Sequence, residues 1–192
     1  MYYRLCFIFI FFLQTMCMQA QELKKPPVLS DSTKVFITSS DSVKAIKQLF
    51  KKTIRVDKDT LLTMEYYKLF LERGITTKDS KIQLYSAYRL GYYYNALSDY
   101  KNAAKYSQLS LQVATMVNDT THIISSQVLL GSSYFQLGIY DKSLDPYQDA
   151  QKLSQSTGDK ATELLCLTNI GNIRVKLGRY QDALNVCTET LS

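Results

Sequence analysis

From residue 79 onward, apolar residues recur at three- and four-residue steps, and the whole arrangement repeats with a period of 40. Steps of that size place the apolar side chains on one stripe of an α-helix. Four columns keep the same register: Gly91, Gly131 and Gly171; Tyr100, Tyr140 and Tyr180; Leu97, Leu137 and Leu177; Asp79, Asp119 and Asp159. A carboxylate ahead of an apolar-periodic run caps the free N–H groups of a helix start. Asn118 and Gly158, just before two of those aspartates, suit the left-handed conformation that ends the preceding helix. Glycine inside a helix costs about 1 kcal/mol relative to alanine. Its recurrence predicts close approach of a partner helix, with Ala103, Ser143 and Ala183 as the small residues opposite. Helices are predicted over 80–97, 99–117, 120–137, 139–156, 160–177 and 179–191. Tight turns at 97–100, 137–140 and 177–180 join them in pairs, and the tyrosine of each turn opens the second helix and packs back. Pro146 lacks an N–H donor, so it should kink its helix or delay the start, with Asp145 as a local cap.

The segment before this pattern divides further. Residues 39–78 fit as a divergent first unit. Ser39 takes the aspartate column, and Asp59, Tyr66, Leu69 and Leu71 stand 40 positions before Asp99, Tyr106, Leu109 and Leu111. Lys51 replaces the glycine, and the first unit of a stack is often atypical because one face meets water. Residues 21–38, with Lys24-Lys25-Pro26-Pro27, read as a flexible lead-in, and Val35-Phe36-Ile37 are placed to tuck onto the first helix. Residues 1–20 run from Arg4 through nine apolar residues, Leu5 to Leu13, to the small residue Ala20. That is the order of a secretory signal peptide. A helix of that length reaches about 14 Å, against roughly 30 Å of bilayer hydrocarbon. Cleavage after Ala20 gives an exported chain, periplasmic or secreted, with no integral membrane span; the alternative is an anchor formed by the uncleaved segment. Cys17 raises a lipoprotein reading, weakened by Gln14 where such sites carry leucine. The units are then 39–78, 79–118, 119–158 and 159–192, the last incomplete.

The columns resemble the tetratricopeptide repeat, whose pattern is an aromatic, then Leu-Gly, then Tyr, and later Ala and an aromatic. Leu90-Gly91 with Tyr94, Leu130-Gly131 with Tyr134, and Ile170-Gly171 carry the match, with Arg174 in place of the third tyrosine. Ala103, Ser143 and Ala183 fill the later small position, and Ser107, Tyr147 and Cys187 the aromatic slot after it. The family's Trp slot holds Ala87, Gln127 and Leu167, and the closing proline is absent. The unit is about six residues longer than the family's roughly 34, and such longer variants resemble those of bacterial sensory and regulatory proteins.

This resemblance covers 79–192 and implies an all-α fold, a right-handed α-solenoid of helix–turn–helix repeats. It implies a concave groove lined by the first helix of each unit. The groove positions are Tyr85, Tyr88, Tyr92, Asn95 and Ala96; then Ser125, Val128, Ser132, Phe135 and Gln136; then Leu165, Thr168, Asn172, Val175 and Lys176. Helical spacing independently puts Tyr85, Tyr88, Tyr92 and Asn95 on one face. Aromatic anchors with amide and hydroxyl groups suit a peptide ligand. The competing role for these tyrosines is packing on the neighbouring repeat, preferred for Tyr93 and Tyr94. A clamp for a C-terminal carboxylate is argued against. Asn172 matches that type of groove, but the first two units place no Lys or Arg in it.

Composition narrows the chemistry. A hydrophobic fraction of 46% with 21% charge excludes a disordered chain. One histidine in 192 residues rules out a multi-histidine metal site, and His122 falls at a helix start, where exposure is expected. No nucleophile elbow, phosphate-binding glycine loop or CxxC spacing occurs, so no catalytic residue, metal or cofactor is expected. The net charge of +6 gathers on Lys44, Lys47, Lys51, Lys52, Arg55 and Lys58, opposite Val43, Ile46, Phe50 and Ile54. This reads as the solvated face of an amphipathic helix rather than a site for an anionic partner, and export speaks against nucleic acid. Cys166 and Cys187 read as small core residues rather than a disulfide, and the sequon at Asn118 matters only in a eukaryotic secretory pathway.

The expected function is an exported scaffold that binds a protein or peptide in its groove. The alternative is the N-terminal sensory region of a signal-transduction protein, a histidine kinase or transcription regulator, of which this chain is a part. Helix 179–191 has no polar capping helix behind it, so Leu184, Cys187 and Leu191 should form an apolar edge that truncation, self-association or a docked partner would account for.

Overall fold

The computed structural model describes residues 60–191 together with Ile37 and Gln48. The expected signal segment, the lead-in other than Ile37, the basic face at 44–58 and the side chains of Cys187 and Leu191 lie outside the described residues. Within residues 60–191, seven helices follow one another: α1 Thr60–Thr76, α2 Ser80–Ala96, α3 Tyr100–Met116, α4 Thr120–Gln136, α5 Tyr140–Thr157, α6 Lys160–Lys176 and α7 Tyr180–Leu191. No strand occurs among the described residues. From α2 onward the boundaries fall within one residue of those predicted.

All six joints between these helices are built the same way. Lys78, Ser98, Asn118, Gly138, Gly158 and Gly178 have φ of 55°, 60°, 56°, 73°, 76° and 73°. The next residue turns its N–H back to the carbonyl five positions earlier: Asp79 to Gly74, Asp99 to Tyr94, Asp119 to Ala114, Ile139 to Tyr134, Asp159 to Ser154 and Arg179 to Arg174, all at 2.8–2.9 Å. This satisfies a carbonyl that the helix end would otherwise leave unpaired. The same residue then begins the following helix. Where it is aspartate, its carboxylate accepts from the third N–H onward: Ile82 at 3.2 Å, Asn102 at 3.2 Å, His122 at 3.0 Å and Thr162 at 3.1 Å. The 40-residue sequence period thus contains a 20-residue backbone period. Asn118 and Gly158 were legible as left-handed residues, whereas Lys78 and Ser98 carry no glycine or asparagine to announce them.

Pro146 corrects one expectation. Helix α5 begins at Tyr140 and runs through the proline to Thr157, so the start is not delayed and Asp145 caps nothing. The joint at Gly138 and Ile139 fixes the start, and burial of Tyr147 and Ala150 holds the helix past the one hydrogen bond that proline forgoes.

Each helix packs on its predecessor and successor, and α2 also meets α4 directly. One core cluster gathers Tyr67, Phe70, Leu90 and Tyr93, with Ile37 fully buried among them. Another gathers Ile124, Tyr147, Cys166, Ile170 and Ile173. Burial pushes the Cys166 thiol up to about 11, and that cysteine is unbridged. Seven serines, at positions 86, 107, 110, 126, 133, 143 and 154, are fully buried. Ser110 and Ser126 share a hydrogen bond of 2.7 Å between α3 and α4.

Two of the three column glycines mark close approach, against a position one turn later than expected; the third does not, because a Cβ on Gly171 would meet only Val186, at 4.0 Å. A Cβ on Gly91 would lie 2.9 Å from the Ser107 hydroxyl, and one on Gly131 would lie 2.8 Å from Cδ2 of Tyr147. Ser143 instead donates its hydroxyl to the Gly131 carbonyl at 2.8 Å. Of the turn tyrosines, Tyr140 packs on Phe135 with ring centres 5.4 Å apart, but Tyr180 is 69% exposed and does not pack back.

Candidate functional site

A cavity of about 750 Å³ opens on the side formed by α2, α4 and the start of α6. Its walls follow from helical spacing. Tyr88, Tyr92 and Asn95 share one face of α2, and Thr121, Ser125, Val128 and Ser132 share one face of α4. Thr157 at the end of α5, then Asp159, Thr162 and Leu165, close the third side. The volume falls within the roughly 300–1,000 Å³ common for ligand sites.

Core packing holds the tyrosines in place. Tyr92 is about half exposed, and its ring lies 5.5 Å from the Arg89 guanidinium. Arg89 turns back from the cavity, lying 4.8 Å from the Tyr93 ring and 5.8 Å from that of Tyr67, and it donates to the Tyr93 hydroxyl. The Tyr88 ring meets the His122 ring edge-on at 5.6 Å and 87°. The expectation of an exposed His122 needs correction, because its side chain retains only 27% exposure. Its Nδ1 lies 2.9 Å from Oδ2 of Asp119. With the carboxylate ionised and the imidazole neutral, Nδ1 carries the proton and Nε2 is left as an acceptor. The His122 backbone N–H is the leading cause that holds the Asp119 carboxyl below its ordinary range.

The cavity floor is polar. Asn95 Nδ2 lies 3.5 Å from the Ser132 hydroxyl, which also bonds to the Tyr147 hydroxyl beneath. Burial pushes the Tyr147 phenol up to about 12, so it stays neutral. Asp159 contributes the only charged side chain among the described residues of the lining. Its carboxyl is held below the usual range by the Thr162 side chain and then by the Thr162 backbone N–H.

Among the groove positions expected from sequence, Tyr88, Tyr92, Asn95, Ala96, Ser125, Val128, Ser132 and Leu165 line the cavity. Tyr85 turns inward instead, with its ring centre 6.3 Å from that of Tyr67. Phe135 packs into the second core cluster. Gln136, Thr168, Asn172, Val175 and Lys176 are exposed beyond the cavity lining. Sequence reasoning missed Thr120, Thr121, Ile124, Leu129, Thr157, Asp159 and Thr162. Extending the helical stripe one turn toward each helix start would have found two of them: Thr121 stands four before Ser125, and Thr162 three before Leu165.

Comparison with known proteins agrees with this architecture. The tetratricopeptide repeat family matches residues 83–156, from the first turn of α2 nearly to the end of α5. The tetratricopeptide-repeat domain of Arabidopsis FLU has a similar structure, with a TM-score of 0.55 and 17% identity, covering 58% of this chain and 94% of that one. No curated protein matches the chain. The fold is therefore the all-α solenoid of tetratricopeptide-like repeats that the sequence columns implied.

Proposed function

We propose that this chain of tetratricopeptide-like repeats captures a peptide segment of another protein in the cavity between α2, α4 and α6. The observation that carries the reading is the wall itself. Two tyrosines, three hydroxyl-bearing helix faces and an amide converge on one concavity, and Arg89 and His122 hold the rings in place. Fixed rings and stacked helices lose little freedom when a ligand docks, so more of the contact energy appears as affinity. The role we propose is binding rather than catalysis. Export remains part of the proposal on the strength of the apolar run at 5–13 alone.

The test is selection of a random twelve-residue peptide display library against the full chain. Tyr92→Ala serves as the counter-target. Half-exposed, Tyr92 can be truncated without opening the core, and its unfolding midpoint checks that. Survivors that bind the native chain at least tenfold better than Tyr92→Ala support the reading. A library that yields none refutes it.

A further inference from the structure

Among the described residues, the cavity lining is rich in acceptors and holds no cation. Of its lining residues only Asp159 is charged, and hydroxyls of Thr121, Ser125 and Ser132 surround the apolar side chains of Ile124, Val128 and Leu165. The nearest arginine, Arg89, lies over the rings of Tyr67, Tyr92 and Tyr93, so the Tyr92 ring already has a guanidinium against it while Tyr88 does not. The starts of α4 and α6 reach this region, and helix starts attract anions. Here, however, Asp119 and Asp159 already occupy the N–H groups of both starts. An anionic ligand would meet a carboxylate and no free charged donor. Tyrosine faces carry negative electrostatic potential and attract ammonium and guanidinium groups.

We infer that the occupant of the cavity is a peptide segment carrying a lysine or arginine beside an apolar side chain. The cation lies between Asp159 and the Tyr88 ring. The apolar side chain rests on Ile124, Val128 and Leu165. This rests on the peptide-capture reading above and adds the charge of the ligand to it. Asp159 is exposed, so the preference is modest, on the order of two- to fivefold for one cation over a neutral side chain, and it declines with salt.

The survivors of the peptide selection supply the probe. Lysine or arginine should be enriched within a few positions of an apolar residue. The best binder, made with its cation as Lys, Gln or Glu, is then titrated by fluorescence anisotropy against the native chain and against Asp159→Asn. Asparagine caps a helix about as well as aspartate, so this variant removes the charge and keeps the start of α6. The Lys peptide should bind the native chain about two- to fivefold better than the Gln peptide. The Glu peptide should be weaker still, and the Lys advantage should vanish in Asp159→Asn. Survivors rich in Asp and Glu, or a Lys advantage untouched by Asp159→Asn, overturn the inference while peptide capture stands. A library with no Tyr92-dependent survivor overturns both.

Discussion

Gly131→Ala should destabilise the chain, although alanine is the better helix former. On propensity alone the change would stabilise α4 by about 1 kcal/mol. The added Cβ, however, would lie 2.8, 2.9 and 3.1 Å from Cδ2, Cε2 and Cγ of Tyr147. Carbon atoms in ordinary contact sit roughly 3.5–4.0 Å apart, so three ring atoms are overlapped at once. The ring cannot step aside easily: it is 3% exposed, and its hydroxyl is tied to Ser132. Relief must come from separating α4 and α5, which also stretches the 2.8 Å bond from Ser143 to the Gly131 carbonyl. Overpacking costs about 1–3 kcal/mol, and overlap with three ring atoms at once puts this case in the upper half, about 2–3 kcal/mol, leaving a net loss of about 1–2 kcal/mol after the propensity gain. Urea unfolding followed by far-UV circular dichroism should show a lower midpoint with the same slope. Gly91→Ala should also destabilise, because its Cβ would lie 2.9 Å from the Ser107 hydroxyl, 3.1 Å from Leu129 Cδ2 and 3.2 Å from the Ser107 backbone nitrogen. In a Tyr147→Leu background the alanine penalty should shrink. A Gly131→Ala midpoint equal to or above the native one would refute the reasoning.

Two further outcomes follow from the joints. Asp99, Asp119 and Asp159 all titrate below the ordinary aspartate value of 3.8 when folded. The unfolded chain therefore binds more protons in that range, and stability present above about pH 4 is lost as pH falls through the folded values. Thermal midpoints measured from pH 6 to 2.5 should show this, and Asp99→Asn, which caps without titrating, should reduce the loss. Ser98→Gly should stabilise by about 0.5–1 kcal/mol because it relieves a left-handed residue, whereas Gly138→Ala should cost about as much, with no steric contact to blame. Paired thermal melts read both signs.

The sequence disclosed the helices because its columns are caps, turns and close contacts, all local constraints. Asp79, Asp119 and Asp159 mark helix starts wherever they occur, and Gly131 marks a helix neighbour whatever the fold. What stayed hidden depends on how far each helix is rotated about its axis. Tyr85 and Tyr88 look alike in sequence, yet one ring stacks toward Tyr67 and the other toward His122. Ser107 and Tyr147 occupy one column, and only packing shows that both, rather than Ala103 and Ser143, face the glycines. Thr157 and Asp159 close the cavity from the joint between α5 and α6, where helical periodicity does not reach.

Because the cavity draws on α2, α4 and α6, its walls come from three successive repeats. A stack whose units touch mainly their neighbours behaves as a chain of springs, each junction free to flex or fray by itself. At the junction of α3 and α4 the buried Ser110–Ser126 pair makes the contact lean, since a hydroxymethyl group buries little apolar surface. An occupant that touches all three walls works as a splint across two junctions. It would fix the local curvature of the superhelix and make units that otherwise melt piecemeal unfold as a block. Affinity and bending stiffness are then one quantity measured two ways.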